Sequence, residues 1–288
     1  MRIGRAVAQW LARTFVILFL VMVGSTILVR YAPGYLTDAR EMDARYAPAA
    51  RAELRVEAAQ SRSLPHMVSA EIQAWARGTG GVSRQYGVPV SELILPRLAV
   101  SGLLLLRALL LAWGLAICGS LLASAGRKPT LLWHAPAALL LAFPTAALAT
   151  LCLLANHGGP VLVMALLLSA RDFKFLERAL RRAWLQPHLL HARAQGIRTW
   201  RLLWAHVLPD IAPQLAALAP LSIVTALSAL VPVEVIFNVP GLGQLAWNAA
   251  LNRDLPVLLA ATMIMALAVT LSGSAPRSED RAAEWNSA

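Results

Sequence analysis

The chain has 288 residues, of which 58% are hydrophobic and 14% are charged, and its formal net charge is +11. Soluble domains have about 45–50% apolar and about 25% charged residues, so this composition argues against an ordinary soluble protein. The apolar residues form long runs and the cations lie in the segments between them, which indicates membrane spans and argues against a nucleic-acid-binding surface.

Six apolar runs approach the length of a transmembrane helix, which needs about 20 mainly apolar residues. The first follows Arg2, Arg5 and Arg13, as in a signal peptide, but no small-x-small cleavage site follows it, so we interpret it as a retained helix. The second can begin as early as Leu98. The pattern predicts an all-α membrane protein with six spans, at Thr14–Val29, Ala108–Ala125, Leu131–Ala155, Pro160–Leu176, Ile211–Phe237 and Leu255–Leu271.

The fourth span is the shortest, because charge begins at Arg171. It reaches Leu176 only if Arg171 and Lys174 direct their cations toward the membrane surface. The loop charges favour its presence: residues 171–209 hold eight Lys and Arg against two acids, and the preceding loop 156–159 holds no Lys or Arg. With six spans, every short loop follows the positive-inside rule and both termini are cytoplasmic.

This topology divides the chain into four parts. The N-terminal end with the first helix is 1–30, an extracytoplasmic segment is 31–97, the transmembrane core is 98–272 and a cytoplasmic tail is 273–288. Within the core, residues 177–209 form a cytoplasmic loop and residues 238–254 form an outer loop. The segment 38–62 is Ala/Arg/Glu-rich, which predicts a helix, whereas "ARGTGGVSRQYG" (76–87) is typical of a loop.

Arg107 lies within the second apolar run. An arginine at the bilayer centre costs about 2.5–3.5 kcal/mol on insertion scales. Either the span starts at Ala108, so that Arg107 lies at the outer interface, or Arg107 faces a hydrated pathway. Cys118 and Cys152 also lie in apolar runs, which predicts buried thiols and no disulfide.

The sequence predicts no enzyme, metal site or cofactor site. It contains no G-x-x-x-x-G-K-[ST] phosphate loop, so nucleotide-driven transport would need a second chain that binds ATP. His188 and His191 lie three residues apart on a predicted helix, and we interpret them as surface histidines rather than a metal pair. No arrangement of nucleophile, base and acid follows from residue spacing.

The segment "HARAQGIRTWRLLWAHVLP" (191–209) predicts two short helices separated by a glycine. A helix from His188 ends at Gly196, the usual residue for a left-handed C-terminal position. The second helix covers Ile197–Leu208, and Arg198 and Arg201 lie off its apolar stripe. This cationic segment fits either an anionic lipid surface or a cytoplasmic partner. The stripe comprises Ile197, Trp200, Leu203, Trp204, Val207 and Leu208.

The stretch "VEVIFNVPGLGQLAWNAALNRDLP" (233–256) follows the fifth span. Its prolines and glycines predict a turn, and "LGQLAWNAAL" predicts a short interfacial helix. An acid precedes the turn and another precedes the last span. The candidate outer gate and translocation residues are Glu234, Phe237, Pro240, Gly241, Gly243, Asp254 and Pro256.

Four stretches resemble the permease subunits of peptide-type ABC importers, the dipeptide, oligopeptide and nickel permeases. "RYAPGY" (30–35) is similar to that family's R-x-A-P-G-D, and "PVSELILPRL" (89–98) resembles the stretch before its second span. "ARAQGIRTWRLLWAHVLP" (192–209) resembles its EAA-x3-G-x9-I-x-L-P loop, although "LHA" replaces the leading "EAA". "EVIFNVPGLGQL" and "NRDLP" resemble its E-x-I-F-x-x-P-G-L-G and R-D-x-P.

The resemblance implies a type I ABC importer permease that works by ATP-driven alternating access. It implies partners: a second permease subunit, two cytoplasmic ATP-binding subunits that hold ATP and Mg²⁺, and an extracytoplasmic solute-binding protein, all beside membrane lipid. Carried over by position, the loop that couples to the ATPase includes Ala192, Gly196, His206, Leu208 and Pro209.

Two other classes stay open. A stand-alone secondary transporter or channel would need ionisable residues within the membrane, for which Arg107, His134 and Glu234 are the near candidates. A membrane scaffold would transport nothing.

Overall fold

The structure is a computed structural model that describes residues 2–31, 69, 72–75, 77–78, 80–83, 85–125 and 131–273. All regular structure in these residues is helical, apart from an isolated bridge between Val82 and Pro89, so the all-α class is confirmed. The helix predicted over 38–62 lies outside the described residues, as do "APGY" of the "RYAPGY" motif and the tail from residue 274.

From Val90 onward the helices follow one another with short connections. In chain order the elements are α1 (Arg2–Tyr31), α2 (Val90–Ala125), α3 (Leu131–Ala142), α4 (Thr145–Leu154), α5 (Pro160–Trp184), α6 (Pro187–Ala194), α7 (Thr199–Leu202), a π turn (Leu203–Val207), α8 (Leu208–Ile236), α9 (Leu242–Leu251) and α10 (Leu255–Ser272). Helix α2 begins at Val90, so the predicted boundary between residues 97 and 98 falls inside a helix.

The chain divides into two compact units. The first contains the described residues up to Val100 together with 240–268. Its core joins the start of α2 to α9 and α10, and the side chains of this core are Val90, Ile94, Leu242, Leu245, Ala246, Ala249, Val257, Ala260 and Ala261. In the same unit, Met22 of α1 packs with Leu255 and Leu259 of α10.

The second unit, 101–239 with the end of α10, is built around α5. Helix α5 packs against α8 and α3, and α8 also packs against α4. About half of α5 is buried, including Met164, Leu168, Leu176 and Leu180. Small side chains of α2, such as Ala108 and Ala112, lie in the same core and let the helices approach closely.

Among the described residues, fewer helices than the six predicted spans are long and apolar enough to cross a membrane. Four helical stretches in the described residues qualify, Ala8–Leu28, Val90–Ser124, Thr199–Ile236 and Leu255–Ser272. The predicted third span, Leu131–Ala155, is two helices bent by 100° before Thr145, and it adds a fifth only if the pair counts as one. The break lies at Phe143–Pro144, because proline cannot continue the hydrogen bonding of α3.

The predicted fourth span forms a helix, but its charges exclude it from this count. Arg171, Asp172, Lys174 and Glu177 all lie within the first 18 residues of α5. The guanidinium of Arg171 donates to the hydroxyl of Thr225 on α8, and the orientation of Arg171 and Lys174 toward the membrane surface stays a prediction.

Arg107 is exposed on α2, in the middle of the helix rather than just before its start. The neighbouring Leu103 and Leu110 are exposed as well. Of the cysteines predicted to be buried, Cys152 is half-buried and Cys118 is exposed, and both are free thiols.

Candidate functional site: a glycine turn and two buried carboxylates

The glycine turn predicted at residue 196 is confirmed. Helix α6 ends at Ala194, and Gly196 has a φ of +77°, a conformation in which a β-carbon is strained. The amide of Gly196 donates to the carbonyl of Arg193 (2.9 Å), and the amide of Ile197 donates to the carbonyl of Ala192 (3.3 Å). This pair of bonds is a Schellman motif, so Ala192 and Gly196 together fix how the chain leaves α6.

The second predicted helix does not end at Leu208 or Pro209. It continues through the π turn into α8, and the three elements form one stretch, Thr199–Ile236. A proline ring clashes with the carbonyl four residues earlier in an α-helix, here that of Ala205. Just before Pro209, the amide of Leu208 bonds the carbonyl of Leu203, five residues back, rather than the carbonyl four residues back. This wider π turn makes room for the proline ring, so the helix continues past Pro209.

Two tryptophans point away from the protein beside the glycine turn. Trp200 is 69% exposed and Trp204 is 57% exposed, whereas Val207 is fully buried, so the predicted apolar stripe does not lie on one face. Their rings pack edge to face with centroids 5.3 Å apart. The side chains anchoring this segment are instead Leu202 and Val207, both fully buried.

An open groove of about 740 Å³ lies between the glycine turn and the tryptophans. We call this the Trp–Arg surface; it is lined by Gln195, Gly196, Ile197, Arg198, Trp200, Arg201, Trp204 and Ala205. Residues 188–209 contain no acid, so the surface is aromatic and cationic. His206 is exposed, Pro209 is exposed, and Leu208 is half-buried against the core under α6.

The predicted gate residues Glu234 and Phe237 belong to the second unit. Glu234 is completely buried, and the hydroxyl of Ser101 on α2 donates to its carboxylate at 2.5 Å. A buried carboxylate is costly unless hydrogen bonds satisfy it, so this bond ties α8 to α2. Phe237 packs, half-buried, against the core of α2, α5 and α8.

Replacing Ser101 by alanine is expected to lower the free energy of unfolding in mixed micelles by about 1–3 kcal/mol, because a buried carboxylate loses a donor. Ser120→Ala is the matched control: Ser120 is fully buried on the same helix, and its hydroxyl bonds the carbonyl of Ile117. Adding Glu234→Gln to Ser101→Ala should recover part of the loss, since an amide costs less to bury. Equal losses for the two serines would contradict this assignment.

The remaining predicted gate residues belong to the first unit. Asp254 is 1% exposed, accepts the Ser83 hydroxyl at 2.5 Å and accepts the backbone N–H of Gln85 at 3.2 Å. The hydroxyl of Ser83 in turn accepts the N–H of Tyr86 (3.0 Å). Asp254 therefore closes the loop 83–86 rather than pointing into open space.

The turn before α9 is compact. Gly241 and Gly243 are buried and Pro240 is exposed, and α9 matches the helix predicted for "LGQLAWNAAL". A β-carbon on Gly81, whose φ is +87°, would lie 3.2 Å from the ring of the buried Pro256. The gate residues are thus split between the units, and their proposed role stays a prediction.

The sequence did not predict a polar cluster between α5 and α8. Ser222 donates to Asp172 at 2.9 Å, and Arg171 donates to Thr225. One turn further along α5, the buried Glu177 bonds Arg181 at 2.6 Å and lies 3.6 Å from His134. The serines and threonines of α8 were the available signal, but in an apolar run such residues commonly bond their own helix.

The predicted surface histidines behave as expected. His188 lies 3.6 Å from the carboxylate of Asp210, and His191 contacts the side chain of Gln195. Among the described residues, no three His, Cys, Asp or Glu side chains converge to form a metal site.

Several curated proteins are similar to part of this chain. A permease protein of a metal-staphylopine import system from Staphylococcus aureus is 32% identical over 108 residues, 38% of this chain and 34% of that protein. A putative peptide permease of Brucella ovis is 28% identical over 119 residues, 41% of this chain and 37% of that protein. The oligopeptide transport system permease protein OppB of Salmonella typhimurium is 36% identical over 75 residues, 26% of this chain and 24% of OppB.

The matched stretches thus cover about a quarter to just over a third of each of these relatives. A family model extends further along the chain. The model of the "Binding-protein-dependent transport system inner membrane component" matches residues 115–276, which include the polar cluster, the glycine turn, both gate carboxylates and most of the second unit. This match spans more than half of the 288 residues, and the chain therefore belongs to that family of multi-pass inner-membrane transport components.

Proposed function

We propose that this chain is a permease subunit of an ABC importer that moves peptides or similar small solutes across the cytoplasmic membrane. It hydrolyses nothing itself, and ATP and Mg²⁺ bind to partner subunits. Membership of the family and the names of the similar proteins support this assignment. The observation that carries it is the position of the Trp–Arg surface relative to the apolar part of α8.

The apolar part of the Thr199–Ile236 stretch is shorter than the stretch itself. Asp210 and Gln214 are exposed polar side chains, so the hydrocarbon layer cannot begin before Leu215. From Leu215 to Ile236 the helix has 22 residues and spans about 33 Å, which matches a bilayer core of about 30 Å. Trp204 lies 11 residues before Leu215, or about 16 Å outside this layer.

That distance argues against a lipid contact for the Trp–Arg surface. The headgroup region adds only about 5–8 Å on each side of the hydrocarbon. A typical tilt of about 20° shortens the distance by less than a tenth. Trp200 and Trp204 therefore project into the aqueous phase, where two exposed indole rings beside cations fit a protein partner.

The partner that we propose for this surface is the ATP-binding subunit. The remaining assembly comprises a second permease subunit, a second ATP-binding subunit and an extracytoplasmic solute-binding protein. Both termini lie in the cytoplasm, on the side of the Trp–Arg surface, because the basic segment 171–209 faces that side under the positive-inside rule. ATP-driven closure of the ATPases pulls the glycine turn, and α8 transmits this movement toward Glu234.

Gly196→Val is expected to weaken co-purification with the ATP-binding subunits at least about tenfold. A β-branched residue is strained at a φ of +77°, so the turn must change shape. Gly159→Ala is the matched control, because Gly159 is exposed, has a φ of −90° and has open space where an alanine β-carbon would lie. Unchanged pull-down and uptake with Gly196→Val would argue against docking at this turn.

A stand-alone transporter is the second candidate, because Asp172 and Glu234 are carboxylates buried among helices. Reconstitution separates the two. The ABC assignment predicts uptake only when ATP-binding subunits and ATP are present, whereas a secondary transporter would work from an ion gradient with this chain alone. A scaffold would support neither.

A further inference from the structure

A charged pair on α5 contacts two hydroxyls of α8 inside the second unit. Asp172 is 1% exposed and accepts the Ser222 hydroxyl at 2.9 Å. Its neighbour Arg171 donates through Nη1 to the hydroxyl oxygen of Thr225. The two contacts connect consecutive residues of α5 to residues three apart on α8, and the two helices pack against each other.

Each charged group also has an atom without a partner. Among the described residues, no group hydrogen-bonds the buried Nη2 of Arg171 or the buried Oδ1 of Asp172. Buried polar atoms are nearly always satisfied, because an unsatisfied one carries its full desolvation cost. One donor atom of Arg171 and one acceptor atom of Asp172 are thus unused at the contact between α5 and α8. These two atoms indicate that the two helices have a second packing arrangement.

The sequence of α8 offers such an arrangement. Hydroxyl residues recur at every third position of α8, at Ser222, Thr225 and Ser228. They lie on one ridge of the helix, and each is related to the next by the same rotation about the helix axis and the same translation along it. Ser228 is exposed, and its hydroxyl donates to the carbonyl of Val224 on its own helix at 3.0 Å. We call these three residues the hydroxyl ladder.

The hydroxyls of the ladder can leave a charge without becoming unsatisfied. Ser222 also lies 3.2 Å from the carbonyl of Leu218, and Thr225 donates to the carbonyl of Leu221 at 2.8 Å. Next to the ladder, the buried face of α8 carries Ala226 and Ala229, whose small side chains offer little obstruction to a sliding helix.

We propose that the hydroxyl ladder holds α8 on the Arg171–Asp172 pair in two registers, which correspond to two states of the transport cycle. A step of three residues, about 4.5 Å along the axis, brings Thr225 to Asp172 and Ser228 to Arg171. Nη2 of Arg171 and Oδ1 of Asp172 engage the incoming hydroxyls before the outgoing ones separate. Ser228 is thus a positioning residue whose hydroxyl bonds its own helix in the register seen here.

This inference rests on the proposed alternating-access function, but it can be tested separately. Spin labels at Arg182→Cys on α5 and Gln214→Cys on α8, both exposed sites, would report the register in the reconstituted assembly. The native cysteines are first replaced by alanine. We expect two label distances in the unmodified ladder, with a ratio that changes when ATP is trapped on the ATP-binding subunits.

Ser222→Ala removes a contact of the present register, and Ser228→Ala removes a contact of the other register only. The two variants should therefore shift the ratio in opposite directions, each by about tenfold, the population change that a hydrogen bond to a charged group is worth. Thr150→Val, at an exposed hydroxyl of α4 that bonds the carbonyl of Ala146, should leave it unchanged.

Three results would contradict the two-register proposal: a single label distance under all conditions, an unchanged ratio with Ser228→Ala, or changes of the ratio in the same direction for Ser222→Ala and Ser228→Ala. If Ser222 only stabilised the fold, Ser228→Ala would leave the ratio of the two label distances unchanged. Failure of the proposed function looks different: ATP-dependent uptake would be absent from the wild-type assembly, whereas the labels would still report whether α8 occupies two registers.

Discussion

Replacing Trp200 and Trp204 together by alanine is expected to weaken binding of the ATP-binding subunits by at least about 30-fold and to abolish most uptake. Exposed tryptophans that anchor an interface cost about 2 kcal/mol or more when truncated. Both side chains are more than half exposed and neither supports the core, so the variant should fold normally. The measurement is titration of detergent-solubilised permease with purified ATP-binding subunits.

The arginines of the Trp–Arg surface allow a second test of the same contact. Because residues 188–209 contain no acid, we expect the partner to present carboxylates around an apolar groove. Arg198→Glu and Arg201→Glu should therefore lower the association rate and make binding less sensitive to salt. Trp247→Ala serves as the control for losing an exposed indole, since Trp247 lies on α9 in the first unit, and it should leave ATPase binding unchanged.

A lipid contact predicts a different pattern. If the tryptophans lay in the headgroup layer, the double variant would bind the ATP-binding subunits normally and would lose affinity for anionic vesicles instead. The distance of about 16 Å between Trp204 and the start of the apolar helix is why we expect the first pattern.

Local signals in the sequence predicted the turn after α6 and the turn before α9. Gly196 ends α6 because glycine adopts the left-handed backbone there without strain, and the turn before α9 follows from its prolines and glycines. Each of these features depends on a few neighbouring residues. The same is true of the break at Pro144, where the proline is a local signal for the bend that the prediction of one continuous span overlooked.

Features that depend on partners elsewhere in the chain were missed. Hydropathy counts Arg171 and Asp172 as exposed charges, although α8 supplies hydroxyls to both. Periodicity placed Trp200 and Val207 on one apolar stripe because it assumed a regular helix, whereas Trp200 is exposed and Val207 is buried. One extra residue in the π turn rotates everything before it by about 100° relative to α8, and no rule of spacing predicts that turn.

The carboxylate of Asp254 is the other position where we expect a large effect. Asp254→Ala should lower the free energy of unfolding in mixed micelles by about 2–4 kcal/mol, because the buried Ser83 hydroxyl and the Gln85 amide both lose an acceptor. The loop 83–86 should also become sensitive to limited proteolysis. Asp210→Ala is the control: Asp210 is an exposed carboxylate 3.6 Å from His188, and its loss should cost less than about 0.5 kcal/mol.

A double-mutant cycle with Ser83→Ala tests whether this cost reflects the loop contact. If Asp254 acts through Ser83, the two substitutions should be less than additive by about 0.5–3 kcal/mol. Additive losses would mean that Asp254 stabilises the start of α10 independently of the loop. The distinction bears on function, because contact with Ser83 would mean that the residue resembling the family's R-D-x-P acid holds this loop in place rather than contacting the solute. Asp254→Asn should retain most of the stability, since its amide oxygen can still accept from Ser83, and with the loop intact it should retain uptake as well.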